Sequence, residues 1–475
     1  MNQVAMTAKK SLARSAFVAL VALTAAASVG CTAPRSAADL RTPAAEKWYR
    51  RALADYRAAD VDEARDSVRK ALSSAPNDQD VRLLAGNIAL ARLEYDEVLR
   101  LLKDLPGSEA AGLRGRALWY KGELDEAADA LEAMLNDPEV VDPWAKQIAK
   151  LARQGTGRTP FALSGGLLAS VEMVPINPYS PFFVVSVEID GESALALIAT
   201  GTPEVVLDSS SRKEASWTSI RFGQNVEVHD VPAQVLDLSG ISKQVGAPIH
   251  ALLGVNLLRH LNATIDFEGR QFVVRSFAPP TPPESTRVGL AYVKGGGMVV
   301  GAGLGPNAGE RGALIVDTAM NFPLALDKAG WSKSGVDPAS LQFVTDDPEQ
   351  KFRAGTVSTL RLGALDITQV PGVLGAPIET VEKALAFDID GSLGAGLLAH
   401  YRITFGDGGR LMWLEDHETI DRALLGAPGS RPPPPSELEP PALDLTTPDP
   451  LLPRIPSNEA EPARSKPKSK STHPR

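Results

Sequence analysis

An α+β multidomain chain, helical first and doubled all-β second, is what the 475-residue sequence predicts. Three observations carry this. Over residues 44–155, apolar residues recur at spacings of three and four among abundant Ala, Leu, Arg and Glu, which is the helical period. After Thr159 the runs become short and alternating, with Gly and Pro between them, which is the pattern of strands. The β part then states one layout twice. LALIATGTPEVVL runs through Ala199-Thr200-Gly201 and GALIVDTAMNFPLAL through Asp317-Thr318-Ala319, each an apolar strand entering a tight turn with a second apolar run leaving it.

Composition narrows the class. Apolar content of 44% and charged content of 23% are those of a folded chain, and the length suits about three domains. A net charge of -9, with basic residues alternating with acids, argues against a nucleic-acid partner, which requires clustered Lys and Arg. Residues 1–30 read as a targeting segment: Lys9, Lys10 and Arg14, an apolar stretch from Ala16 to Val29, then Ser28-Val29-Gly30-Cys31. This resembles a bacterial lipoprotein signal, although Ser28 stands where such signals usually carry leucine. The resemblance implies lipidation of Cys31 and membrane attachment through it, hence a cell-envelope location, lipid-anchored or periplasmic. Cys31 is the single cysteine, so an internal disulfide is excluded. Residues 31–43 read as a linker, and no later stretch approaches the ~20 apolar residues of a membrane span. Residues 426–475, with RPPPP, EPP, TPDP and a basic finish, are too rich in proline for a packed fold and are expected to be disordered.

Within residues 44–155 three turns look alike: VDEARDSV, YDEVLRLL and LDEAADAL. Their glutamates Glu63, Glu97 and Glu126 are 34 and 29 residues apart (97 − 63 and 126 − 97). Small residues Ala52, Gly86 and Gly115 each stand twelve positions before Ala64, Val98 and Ala127, a register for two closely approaching helices. The segment resembles about three tetratricopeptide repeats, which implies stacked helix pairs with a protein-binding or spacer role.

The β region divides into residues 160–277 and 288–416, joined by the proline-rich 278–287. The first copy opens on FFVVSVEIDGES, and the second on GGGMVVGAGLG. Each continues through its turn to a later Leu-Gly segment ending on Gly254 or Gly394, a short helix, and a closing hairpin; LLRHLNATIDFEGRQFVV matches LLAHYRITFGDGGRLMWL. Together the copies resemble a pair of retropepsin-like domains fused as in the pepsin-type aspartic proteases. The resemblance implies an all-β, two-lobed fold. It also implies that Gly254 and Gly394 pack behind the turns and support a peptide groove.

Aspartic peptidases hold water between two carboxylates that share one proton, one serving as base and the other as acid. On that template Asp317 matches a catalytic aspartate and Thr318 its brace. Ala199 stands where the second aspartate belongs, beside a matching Thr200 and Gly201, and Ala319 stands where the family has glycine. The expected function is therefore a degenerate peptidase domain that binds extended peptides without efficient cleavage. A narrow-specificity endopeptidase using Asp317, and a scaffold working through the helical repeats, are the alternatives. Asp208, Asp266, Asp388 and Asp390 are expected to be structural. GAGLGPNAG is expected to be a hairpin turn, since no helix pattern follows it. The six histidines lack metal-ligand spacing, so neither metal nor organic cofactor is expected.

Overall fold

The computed structural model describes residues 41–176, 182–306, 309–344, 351–385 and 387–416. The leader, Cys31 and the proline-rich tail lie outside the described residues.

Helices come first, then a region built of strands. Among the described residues, seven helices lie in the first part: α1 (Pro43–Arg57), α2 (Val61–Ser74), α3 (Gln79–Ala91), α4 (Tyr95–Leu102), α5 (Ser108–Lys121), α6 (Leu124–Leu135) and α7 (Pro143–Gln154). Local chemistry sets their ends. Thr42, Asp60, Asp78 and Asp142 accept the orphan backbone N–H groups at four starts, and Pro43 and Pro143 sit where a helix needs no N–H donor. Gly122 ends α5 in the left-handed region at φ 87. The helices pack as successive pairs, α1 on α2, α3 on α4 and α5 on α6, with α7 added to the last. Small residues permit the close approach. A Cβ at Gly86 would lie 2.8 Å from Leu102 Cδ1, and one at Gly115 would lie 2.7 Å from Leu131 Cδ2.

The β region repeats its topology. In the first copy Glu192–Ala199 runs antiparallel to Phe183–Ile189 and parallel to Ala251–Gly254, with Ala199 opposite Gly254. In the second, Glu310–Asp317 runs antiparallel to Gly297–Leu304 and parallel to Gly391–Gly394, with Asp317 opposite Gly394. The closing strands of both copies then meet. The order across that junction is Leu168–Pro175, Gln271–Arg275, Thr264–Asp266, Tyr401–Gly406, Leu411–Asp416, Thr286–Gly289, so each copy contributes an early strand, its last strand and its last-but-one. At the centre Thr264 Oγ1 and Thr404 Oγ1 are hydrogen-bonded at 2.9 Å.

Two sequence expectations need correction. The first copy does not open on FFVVSVEIDGES, because Ala162–Gly165 and Leu168–Pro175 precede it. The second does not open on GGGMVVGAGLG, because Thr286–Gly289 and Ala291–Val293 come first, and the former begins within the last residues of the proline-rich segment. Both early strands are needed at the outer edges of the junction, a role that no local pattern announces. GAGLGPNAG is the end of strand Gly297–Leu304 and the approach to Glu310–Asp317, which pairs with it; residues 307–308 lie outside the described set.

The helices do not stand apart from the strands. Tyr56 of α1 meets Phe387 edge-on at 5.1 Å, Arg311 pairs with Asp60, and Gly301 lies beneath the Ala58 carbonyl. Farther along, the Trp217 indole N–H donates to the Leu151 carbonyl of α7 at 3.0 Å, and its ring lies 5.9 Å from that of Trp119. The hairpin turn Lys294-Gly295-Gly296 is pressed against Tyr120 of α5; a Cβ at Gly295 would lie 2.3 Å from the ring, which only glycine avoids. Helices and strands thus share buried apolar surface, the dominant favourable term in folding.

Candidate functional site

Two turns meet where the copies meet. The Thr200 N–H donates to Thr318 Oγ1 at 3.2 Å, and the Thr318 N–H donates to Thr200 Oγ1 at 3.0 Å. Each hydroxyl in turn donates across the junction, Thr200 to the Val316 carbonyl at 2.8 Å and Thr318 to the Ile198 carbonyl at 2.7 Å. Both threonines are buried. Four short bonds between elements 118 residues apart in sequence fix the turns relative to one another, and a buried hydroxyl without such partners would be destabilising.

Gly201 closes the arrangement. A Cβ there would lie 2.7 Å from Asp317 Cγ and 2.9 Å from Asp317 Oδ1, so the first turn's backbone lies directly against the second turn's carboxylate. Asp317 is half-buried and accepts one hydrogen bond, from the Ala319 N–H, at 2.9 Å. Burial raises its pKa above the ordinary carboxylate value, and the Ala319 bond opposes the shift. Ala199, by contrast, is 1% exposed. Its methyl belongs to an apolar cluster that includes Phe182, Leu197, Val206 and Leu252, with Ala319 packed against it. Of the two matching turn positions, one therefore carries an acid and the other a buried methyl.

Gly254 and Gly394 sit behind the turns. A Cβ on Gly254 would lie 2.1 Å from the Glu204 carbonyl oxygen, and one on Gly394 would lie 2.1 Å from the Phe322 carbonyl oxygen. The other carboxylates serve their own elements. Asp208 accepts from the N–H groups of Ser210 and Leu238, Asp266 from that of Gly269, and Asp390 from that of Ala313 and from Lys333. Asp388 pairs with Arg57 at 3.4 Å. Among the described residues no group of three or more His, Cys, Asp or Glu could hold a metal ion. No described helix is long and apolar enough to cross a membrane.

A second polar cluster escapes sequence reasoning. Glu204 is 1% exposed and accepts at 3.3 Å from both Trp119 Nε1 and Asn256 Nδ2, with Arg259, itself 5% exposed, close enough to favour its charge. Burial raises the Glu204 pKa against these stabilising contacts. The signal for it lies in the duplication. Glu204, Asn256 and Arg259 correspond to Phe322, Gly396 and Ala399 of the second copy, so the fold itself does not require polar groups there.

Charge removal at Asp317 gives a clean reading of its environment. A raised native pKa means that ionisation opposes folding. The cost is absent below the unfolded carboxylate pKa of about 4, grows as pH rises through the native value, and is complete above it. Asp317→Asn is therefore expected to match the natural chain in urea unfolding at low pH and to exceed it in stability at neutral pH. A variant less stable at neutral pH would mean that the carboxylate is held by partners.

No family model matches the chain, and no curated protein matches it. Among solved structures, a retropepsin-like aspartic protease from Rickettsia conorii is similar over 28% of this chain and 90% of its own, at 20% identity and a TM-score of 0.21.

Proposed function

We propose that this chain is a bacterial envelope protein, anchored through a lipid on Cys31, whose β region is a two-lobed, aspartic-peptidase-like domain that holds an extended peptide without cutting it efficiently. The first 110 or so residues after the linker act as tetratricopeptide-like repeats buttressing that region. One observation carries the reading: the turns are joined as a pair by Thr200 and Thr318, yet only the second brings a carboxylate, Asp317, while the first has buried Ala199 at the matching position.

Peptide hydrolysis by paired aspartates needs a base and an acid in one turnover. Losing one member of a catalytic unit commonly lowers the rate by about 10³ to 10⁶. Binding has no such requirement. A groove between β lobes can hold an extended chain by strand addition, for which neither turn needs to supply a second carboxylate.

Retention of a mixed peptide library by the full chain, with the retained species identified by mass spectrometry, tests this. Intact extended peptides are expected. Asp317→Asn, which keeps a donor at the same place, should retain them within about threefold, whereas Gly201→Val, which drives a branched side chain into the carboxylate, should lose at least about tenfold. Retention unaffected by Gly201→Val would place binding elsewhere.

A further inference from the structure

A buried carboxylate stands in the seam between the helices and the first β copy. Glu204 lies three residues beyond Gly201 and is 1% exposed. From the helical side, the Trp119 indole N–H of α5 donates to Glu204 Oε1 at 3.3 Å. The same oxygen accepts at 3.3 Å from Asn256 Nδ2, on the short helix Val255–His260 of the β copy. One carboxylate thus joins the two regions. The backbone around it is held from behind, because the Val255 and Asn256 N–H groups donate to the Thr202 and Pro203 carbonyls at 2.9 and 3.0 Å. Pro203 in turn sits against the hairpin turn, where a Cβ on Gly296 would lie 2.5 Å from the proline Cβ. Any change at Glu204 therefore acts on the segment that leaves the first turn. The second copy has Phe322 at the matching position, so an apolar residue satisfies the fold there. A buried acid stabilises less than well-packed hydrocarbon of similar size, and its charged form is the unfavourable one.

We propose that Glu204 is a proton-operated latch: with its proton the seam between the helices and the first β copy is closed, and without it the seam loosens around Trp119 and residues 202–204. Two donors and the nearby Arg259 charge favour the carboxylate, but burial outweighs them and raises the pKa above the ordinary glutamate value of 4.5. An opened seam would return the group to water and to that ordinary value. The closed seam is therefore fully favoured below about pH 4.5. Opening becomes easier as pH rises from there through the native value, and levels off above it. The neighbours hold their charge across that range. Burial raises Tyr95 of α4 and Tyr120 of α5, so both phenols stay neutral. Arg259 stays ionised, and Arg116 of α5 is paired with Asp142 at 2.6 Å. His260, bonded through Nδ1 to the Asn256 carbonyl at 2.6 Å, is lowered to about 4 by burial and is mostly neutral. The latch is independent of what the paired turns bind.

Hydrogen exchange of the full chain at pH 5 and pH 7.5, read by mass spectrometry and corrected for the intrinsic effect of pH on exchange, tests the latch. Peptides from α5 and from residues 200–206 are expected to lose protection about tenfold at pH 7.5 for each unit by which the native pKa is raised. Peptides from α2, in the first helix pair, should change within about twofold. Glu204→Gln is neutral at every pH and keeps an acceptor for Trp119 and Asn256, so its seam should stay as protected at pH 7.5 as at pH 5. Asp317→Asn should keep the response in α5, which separates the latch from titration at the paired turns. A natural chain whose seam peptides do not respond, a Glu204→Gln chain that responds as the natural one does, or loss of the response in Asp317→Asn would each overturn the proposal. So would a Glu204→Gln chain that fails to fold at pH 5, because it would show that the negative charge holds the seam.

Discussion

Ala199→Asp is expected to confer peptide cleavage at about pH 4 to 6, which the natural chain is expected to lack, and to lower its stability at neutral pH by at least ~3 kcal/mol. Both effects have one cause. The new carboxylate would enter a position now 1% exposed, beside an acid whose ionisation burial already opposes. Two such groups cannot both lose their protons cheaply, so they would share one and titrate as a pair. The destabilisation should be greatest at neutral pH, where both are driven to ionise, and should shrink as pH falls and the shared proton is retained. Urea unfolding at pH 7 and pH 4.5 measures the first effect, and turnover of a quenched fluorescent peptide measures the second. Ala319 packs against the same apolar cluster, and glycine there would free space at the turn. The double variant Ala199→Asp, Ala319→Gly is therefore expected to cleave faster than the single one. A double variant that folds at pH 5 yet cleaves nothing would mean that the two turns do not form a peptidase frame.

Gly394→Ala is expected to destabilise the chain by ~3 kcal/mol or more. The new methyl would lie 2.1 Å from the Phe322 carbonyl oxygen and 2.6 Å from that of Met320. Both are backbone atoms of the segment leaving the Asp317 turn, so no side-chain rotation relieves the clash. Gly191→Ala is the control. Gly191 has φ 84 with nothing within 4 Å of a Cβ, so alanine there meets only the intrinsic cost of a left-handed backbone, about 1 to 2 kcal/mol. Gly394 has φ −106, where alanine meets no such cost, so its loss reads the packing clash while the Gly191 loss reads the backbone conformation. Equal losses would mean that the strand behind the turn can shift to accept a side chain.

The division into helices followed by strands is readable because each part declares its period locally. Ala52, Gly86 and Gly115 are spaced as helix contacts, and LALIATG and ALIVDTA are continuous apolar runs, as expected of strands buried on both faces. What was not readable depends on distant partners. Leu168–Pro175 alternates buried and exposed residues along LASVEMVP, a legitimate strand pattern, yet its place at the outer edge of the junction between copies depends on Gln271–Arg275, about a hundred residues later. The docking of α1 and α5 on the β region has no local signature either, since Tyr56, Tyr120 and Gly295 look ordinary until they touch. The Glu204, Asn256 and Arg259 cluster lies between these cases. Each residue is unremarked alone, but set against Phe322, Gly396 and Ala399 the three polar groups mark a position where the copies have diverged in chemistry while keeping the backbone.

Digestion of a complex peptide library by the natural chain across about pH 3 to 7, with Asp317→Asn in parallel and products read by mass spectrometry, puts the single-carboxylate account at most direct risk. The expected result is no cleavage above background in either sample at any pH. Cleavage by the natural chain that disappears in Asp317→Asn would show that one aspartate suffices here, and would contradict the account.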